Sequence, residues 1–266
     1  MIYRIDHDLH IHSGLSLCSG DAAQTPQAIL QYAQKYGLKT VCITDHYWDD
    51  TVPGASNWYQ KQNFDHIAAS RPLPQDGQTR FLFGCETDMK KDMVIGIPNE
   101  RFRDFDFVII PTTHLHMRNF TIAEEDMASV ERCAALWVER LDHLLSLDLP
   151  FRKIGVAHPA CSLLHRQDHL AVLDRVPQAE LERLFAKAAE KGCGIELNAF
   201  DFDVPDAGIN SVLRLFRTAK ACGCKFYLGS DAHHPEEFEK AIPLFGKAIR
   251  LLDLTEDDKF TVPARA

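Results

Sequence analysis

Histidine and acidic residues recur along this sequence in short groups of the kind that bind metal ions. Histidine accounts for 13 of the 266 residues. Imidazole and carboxylate ligands together are typical of sites for zinc, manganese or iron, and they differ from the all-oxygen sites that hold calcium. The candidate ligands are His10, His12, His46, Glu86, His114, His158, Asp231 and His233. Whether they form one site depends on the elements that carry them.

Most of these ligands lie at or just after the end of a short apolar segment with the composition of a β-strand. The predicted strands cover residues 8–12, 40–44, 80–86, 105–110, 154–157, 194–198 and 225–229. Helical patterns separate them, and the predicted helices run from Thr25 to a cap at Gly37 and over residues 123–147, 178–191, 209–222 and 236–252. Residues 47–79 are predicted as a long loop with room for a helix, and residues 93–97 as a segment beside the third strand.

The alternation of strands and helices predicts a mainly parallel sheet. Seven principal strands without a linker-like stretch favour one domain over residues 1–266, built as a (β/α)7 barrel. An open, doubly wound sheet fits the same pattern and remains the alternative.

In either fold, functional side chains gather beyond the carboxyl ends of the strands. Six of the predicted strands end in or are followed by His, Asp or Glu. Residues two apart on a strand point the same way, so His10 and His12 could hold one ion together. Eight ligands are too many for one ion, which indicates a cluster of two or three metals. Such clusters clamp the attacking and leaving oxygens in phosphoester hydrolysis.

Several of these segments resemble the motifs of the polymerase and histidinol phosphatase (PHP) superfamily. The segments that carry the resemblance are Asp8-Leu9-His10-Ile11-His12-Ser13, Thr44-Asp45-His46, Gly84-Cys85-Glu86, His114, His158-Pro159 and Gly229-Ser230-Asp231-Ala232-His233. They appear in the family's order over about residues 6–234. The resemblance implies a distorted (β/α)7 TIM-like barrel that hydrolyses phosphoesters with two or three divalent ions, Zn, Mn or Fe.

The resemblance also implies which residues share each metal. The first metal would be held by His10, His12, Glu86 and Asp231. Glu86 would bridge to a second metal, which His114 and His158 would also hold. A third would use His46 and His233.

One further ligand of the third metal is expected in the loop after the first strand, where the family often has His or Asp. Cys18 lies six residues after His12, whereas counting back from the helix start at Thr25 points to Asp21. We expect Asp21 to be the ligand because a carboxylate is the more usual group there, and Cys18 is the alternative.

The same resemblance implies metal-assisted hydrolysis in which Asp231 or His233 holds or moves the leaving-group proton. Arg118 and Arg166 are candidate phosphate-binding residues because a guanidinium binds oxyanions through two hydrogen bonds, and the alternative for each is a surface position. Asn198 is either a substrate contact or a structural residue. The expected substrate is a small phosphorylated molecule such as histidinol phosphate or a nucleotide.

Two other functions compete with this hypothesis. A metal hydrolase of the amidohydrolase type would share the barrel and the H-x-H start, but such enzymes typically use a lysine after the fourth strand, and none stands there. A non-catalytic PHP module would be expected to lose metal ligands, and this sequence retains them.

Composition narrows the partners and the compartment. The formal charge is −9, from 29 Lys+Arg against 38 Asp+Glu, which argues against a general nucleic-acid or membrane-surface binder; a nucleotide remains possible as a substrate. The eight cysteines show no CxxC spacing, and no apolar run of about 18 residues could span a membrane. The N-terminus has no apolar signal core. We therefore expect a soluble, cytoplasmic protein, with its oligomeric state left open.

Overall fold

Strands and helices alternate along the chain, as a computed structural model of residues 1–264 describes it. Within this range the strands are β1 (His7–Ile11), β2 (Thr40–Ile43), β3 (Arg80–Glu86), β4 (Phe107–Pro111), β5 (Ile154–Ala157), β6 (Gly194–Asn198) and β7 (Lys225–Gly229). The α-helices are α1 (Pro26–Tyr36), α2 (Phe64–Ala68), α3 (Val130–Ser146), α4 (His169–Arg175), α5 (Gln178–Lys191), α6 (Ile209–Ala221) and α7 (Glu237–Leu252).

The strands form one sheet in which every strand pairs with its neighbour in the sequence. The order is β1 to β7, and each pair is parallel. Beyond β7, the amide of Asp231 donates to the carbonyl of His10 at 2.7 Å, and the amide of His12 donates to the carbonyl of Ala232 at 3.0 Å. These bonds nearly close the sheet, which confirms the predicted (β/α)7 TIM-like barrel. A doubly wound sheet would instead reverse its strand order at a switch point.

The two faces of the sheet bury different residues, because side chains alternate along a strand. A large apolar cluster, to which Val108 and Ile110 of β4 belong, fills the space between strands and helices. A smaller set that includes Phe107 and Ile109 of the same strand packs inside the barrel with Phe260 from the C-terminal segment. The interior is therefore filled, and the open space for a site lies at its ends.

Helix ends follow the signals in the sequence where those signals are local. The hydroxyl of Thr25 accepts from the amide of Ala28, Pro26 takes the first helical position, and Gly37 closes α1 in the left-handed conformation. The predicted helix over 123–147 starts later, at Val130, because Ser129 caps it and a 3-10 turn covers Glu124–Asp126.

Three other segments were predicted less closely. The helix α4 was not expected from the sequence. Residues 93–97 make only an isolated antiparallel bridge, from Ile95 to Met89. The long loop 47–79 contains α2. No helix in the described part of the chain is long and apolar enough to cross a membrane.

Candidate metal centre

Eight side chains meet at the carboxyl end of the barrel, and we call them the rim cluster. Its members are His10, His12, His46, Glu86, His114, His158, Asp231 and His233. They lie at the end of β1, β2, β3, β4, β5 or β7 or shortly after it, as parallel strand ends predict. Six of them are almost fully buried, whereas the side chains of Asp231 and His233 are 26% and 24% exposed. The rim cluster is thus accessible from one side.

An irregularity in β1 aims His10, and with it His12 just after the strand, at this centre. Leu9 packs inside the barrel, whereas Ile11, two residues on, packs against the helices. The pairing of β1 with β2 shifts register between Asp8 and Ile11, which accounts for the change of face. Strict alternation would have kept Leu9 and Ile11 on one side and turned His10 away.

The first group of ligand atoms consists of His10, His12 and Asp231. The Oδ1 atom of Asp231 lies 3.2 Å from Nε2 of His10 and 3.1 Å from Nε2 of His12. The two Nε2 atoms are 3.1 Å apart. Three potential ligand atoms therefore point at one small volume.

The second group consists of Glu86, His114 and His158. The Oε1 atom of Glu86 lies 3.2 Å from Nε2 of His158 and 3.9 Å from Nε2 of His114. Its other oxygen, Oε2, lies 3.2 Å from Nε2 of His12, which belongs to the first group. The carboxylate of Glu86 therefore stands between the two groups, with one oxygen toward each.

A third group contains His46 and His233 together with Cys18, and His12 lies within reach of it. Asp21, the expected ligand, is not in this group. Its Oδ1 accepts from the amide of Ala23 at 2.8 Å, and its Oδ2 lies 3.0 Å from Nδ1 of His234. Asp21 is thus held in a local turn near the surface and paired with a different histidine, and the thiol of Cys18 stands where the carboxylate was expected.

Most histidines of the rim cluster are fixed through the Nδ1 atom by a second residue. Glu196 accepts from His10 at 2.8 Å, and Asp88 lies 3.0 Å from Nδ1 of His114. The remaining contacts of this kind are Ser16 with His12 at 2.9 Å, Thr113 with His158 at 3.0 Å, and the carbonyl of Asp231 with His233 at 2.7 Å. Such partners orient a ligating imidazole and set its tautomer.

Sequence reasoning missed most of these orienting residues. Glu196 and Asn198 lie two residues apart on β6, and only Asn198 was predicted as a candidate, for substrate contact or a structural role. In the structure the Oδ1 atom of Asn198 caps a 3-10 turn, and its Nδ2 is 3.5 Å from Asp231. Asp88 had a usable signal, because it follows Glu86 by two residues.

The chemistry of this donor set fits divalent metal ions. A carboxylate or a carbonyl oxygen can only accept a hydrogen bond, so Nδ1 of His10 and of His233 carries a proton and Nε2 is the nitrogen left for a metal. The Nε2 atoms of His10 and His12 and the oxygens of Glu86 and Asp231 lie at short range around one volume. A divalent cation can take the place of the protons between these groups, and mixed imidazole and carboxylate ligands suit zinc, manganese or iron.

The surroundings also set the charge of the central groups. Burial opposes charge on Glu86, but His46 and His10 hold the pKa of its carboxyl well below its ordinary value. Burial, together with His12 and His114, lowers the pKa of His46 to about 3 despite the neighbouring Glu86. A charged carboxylate and a neutral imidazole are the forms that bind metals.

Two members of the rim cluster adopt a backbone conformation that only glycine takes up easily. His158 has φ 27° and Asp231 has φ 52°. Strain of this kind costs on the order of 1–3 kcal/mol per residue and concentrates at functional sites. It is consistent with side chains held in place for binding.

A cavity of about 540 Å³ opens onto the exposed side of the rim cluster. Trp58, Tyr59 and Phe120 form an apolar wall, and Arg118 lies at its edge with its side chain 65% exposed and paired with Glu124. Arg166 is exposed and does not line this cavity. The structure brings only the first of the two candidate phosphate-binding arginines to the site.

Comparison with known proteins finds relatives that align over most of the chain. A probable phosphatase of Caldanaerobacter subterraneus subsp. tengcongensis is 27% identical over 255 residues, which are 95% of this chain and 84% of the relative. A probable histidinol-phosphatase of Deinococcus radiodurans is 28% identical over 257 residues, with 86% and 87% covered.

Among solved structures, a histidinol phosphate phosphatase of Lactococcus lactis subsp. lactis complexed with zinc, L-histidinol and phosphate aligns with a TM-score of 0.48 and 17% identity. The alignment covers 91% of this chain and 93% of that one. The PHP domain family itself matches residues 8–200, most of the chain. The protein therefore belongs to the PHP domain family.

Proposed function

We propose that this protein is a metal-dependent phosphoesterase that hydrolyses a phosphomonoester of a small metabolite. The observation that carries the proposal is the position of the Glu86 carboxylate, with one oxygen toward His12 and the other toward His158. A carboxylate placed in this way can join two metal ions. The names of the relatives, probable phosphatase and probable histidinol-phosphatase, support the reaction class, and the second favours histidinol phosphate as the substrate. A nucleotide is the alternative substrate.

The assignment of ligands follows the three groups of the rim cluster. His10, His12, Asp231 and Glu86 would hold the first metal, and Glu86, His114 and His158 would hold the second. His46 and His233 would contribute to a third. When bound, the ions, which we propose to be zinc, manganese or iron, supply Lewis acidity that polarises the phosphoryl group and acidifies a water molecule.

The protein itself positions the substrate and controls water. The apolar wall of Trp58, Tyr59 and Phe120 shields one side of the cavity. Arg118 is placed to bind a phosphate oxygen through its guanidinium, and its exposed pairing with Glu124 is weak enough to give way. Phosphoryl transfer depends mainly on such positioning and on charge stabilisation.

Asp231 and His233 are the members of the rim cluster placed to handle the leaving-group proton. Their side chains are more exposed than those of the other six, so they stand on the side from which a substrate enters. Oδ1 of Asp231 points at the two histidines of β1, and its Oδ2 lies toward Asn198. We assign proton transfer to Oδ2 of Asp231, or to Nε2 of His233 in protein whose third site holds no metal.

The test is turnover by protein that has been stripped of metal and reloaded with zinc or manganese. We expect release of phosphate from p-nitrophenyl phosphate and from at least one member of a panel of phosphorylated metabolites, with loss of activity when a chelator is added. Glu86→Gln should lose most of its activity, whereas Glu100→Gln, at an exposed position, should be fully active. Fully loaded protein that turns over no phosphoester would overturn the proposal.

A further inference from the structure

Cys18 lies on a turn that is anchored to two segments of the rim cluster. The amides of Ser19 and Gly20 both donate to the carbonyl of Ser16, at 2.9 and 3.1 Å, and Gly20 takes the left-handed conformation with φ 58°. The hydroxyl of Ser19 donates to the carbonyl of His233 at 2.7 Å, and the amide of His46 donates to the hydroxyl of Ser16 at 3.2 Å. The turn is thus tied to both histidines of the third group.

The thiol of Cys18 meets those histidines directly. Its Sγ atom and ligand atoms of His12, His46 and His233 all lie within 4.8 Å of one another. Cys18 also lines the cavity that opens onto the rim cluster. The sulfur is therefore at ligating distance from a site that a metal could enter.

His12 is already committed to the first group. Its Nδ1 faces the hydroxyl of Ser16, which donates to Asp45 and so accepts from the imidazole. Its Nε2 is 3.1 Å from Asp231 and 3.2 Å from Glu86. The donors left for the third group are one sulfur and two imidazoles.

We propose that Cys18 is a thiolate ligand of a third metal site completed by His46 and His233, and that this site selects zinc or cobalt over manganese and magnesium. The inference rests on the proposed metal chemistry of the rim cluster and adds to it the sulfur ligand. Thiolate favours thiophilic ions, whereas carboxylate and water suit magnesium and manganese. As the sulfur–metal bond forms, the thiol releases its proton to solvent. Three protein ligands leave one coordination position open, as in catalytic zinc sites.

The direct test is titration of the metal-stripped protein with cobalt(II), followed by absorption spectroscopy without substrate. We expect a near-ultraviolet thiolate-to-cobalt charge-transfer band. At saturation, its intensity should correspond to one thiolate-bound cobalt ion per protein chain. Cys18→Ser should lose the band and still bind cobalt at the sites around Glu86. Cys222→Ser, which changes a partly buried thiol distant in the fold, should keep it. A wild-type protein that binds cobalt without the band, or Cys18→Ser with the band unchanged, would overturn the proposal.

A second measurement tests the selectivity and does not depend on the loss of a band. Zinc and manganese compete for the stripped protein, and Cys18→Asp is compared with the wild type. We expect the variant to lose at least about tenfold in zinc affinity at one site and to gain in preference for manganese. Equal preference in the two proteins would contradict the selectivity that we assign to the sulfur.

The outcome is separable from that of the proposed function. A charge-transfer band in protein that hydrolyses no phosphoester would support the sulfur ligand and count against the phosphoesterase. An active enzyme that never shows the band would support the phosphoesterase and exclude the sulfur ligand.

Discussion

Carboxylates lie close to nitrogen groups at both ends of the barrel, but the partners that they meet differ. At the amino end, the carboxylate of Asp6 lies 2.9 and 3.0 Å from the ammonium of Lys259 and 3.0 Å from Nδ1 of His7. At the carboxyl end, the carboxylates of Glu86 and Asp231 face imidazole nitrogens that other residues hold by the opposite ring atom. The first arrangement pairs a carboxylate with a lysine of the chain, whereas the second directs several carboxylate oxygens and imidazole nitrogens at one volume.

This difference separates a structural ion pair from a binding site. Burial alone does not distinguish an ion pair from a binding site, because both ends of the barrel contain buried polar groups. A carboxylate that already has its cation stabilises the fold, whereas carboxylates and imidazoles that converge on each other need a cation from outside. Substitutions at the two ends should therefore affect different properties of the protein.

The largest effect is expected for Glu86→Gln, which removes the charge that faces both groups of ligands. Turnover should fall on the order of 10³-fold, and the metal content per chain should fall as well. Elemental analysis and phosphate release measure the two effects. The control at the amino end is Glu256→Gln, since Glu256 pairs with Lys259 at 2.8 Å. Equal losses of activity in Glu86→Gln and Glu256→Gln would contradict the claim that only the carboxyl end of the barrel binds metal.

A smaller loss is expected for Glu196→Gln, because Glu196 orients His10 from behind. Gly229 permits this contact, since a Cβ atom there would overlap with Oε1 of Glu196 at 1.8 Å. Metal affinity should fall about 10- to 100-fold, and excess metal should restore much of the turnover. Competition with a chelating dye measures the affinity. The exposed Glu190→Gln serves as control, and an unchanged affinity in Glu196→Gln would remove Glu196 from the orienting role.

The two arginines sharpen the comparison within the carboxyl end itself. Arg118→Ala should raise KM roughly tenfold with little change in kcat, because we propose that its guanidinium binds the substrate phosphate without contact to the rim cluster. Arg166→Ala should leave both constants as they are. Steady-state kinetics on the same phosphomonoester measures both variants. An equal effect of the two substitutions would refute the assignment of Arg118 to phosphate binding.

The smallest effect is expected at the amino end, where Asp6→Asn should change stability alone. Burial opposes the charge of Asp6, but His7 and Lys259 lower the pKa of its carboxyl to about 2. A lowered pKa stabilises the fold above the ordinary value of 3.8, and the contribution disappears as the pH falls toward 2.

Asp6 is partly exposed, so the cost of Asp6→Asn near neutral pH should be only about 1–2 kcal/mol. The cost should vanish near pH 2. Urea unfolding at the two pH values measures it. The same cost at both, or a loss of bound metal in the variant, would show that this end is not the simple ion pair described.

The barrel could be predicted from the sequence because its signals are local. Alternating apolar segments and helical patterns, with caps such as Thr25 and Gly37, lie next to the elements that they define. The late start of α3 and the short helix α4 depend on neighbouring turns. Such boundaries are decided by hydrogen bonds, for example the one from Arg132 to Ser129, that a pattern of apolar residues does not contain.

The site was predictable where strands carry it and not where loops do. Parallel strands bring residues such as Glu86 and Asp231 to one rim whatever the loops do. The choice between Cys18 and Asp21 depended on a turn after β1. Whether Arg118 and Arg166, both predicted as phosphate-binding residues, reach the site depended on the course of two loops. A residue's distance along the chain says little about its position in such segments.

The most direct test of the account is the position of bound metal. Crystals of the protein grown with zinc should show anomalous difference peaks on both sides of the Glu86 carboxylate, one beside His10, His12 and Asp231 and the other beside His114 and His158. Ordered zinc only at surface sites, with no peak in contact with Glu86, would contradict the claim that the carboxyl end of this barrel is a metal centre.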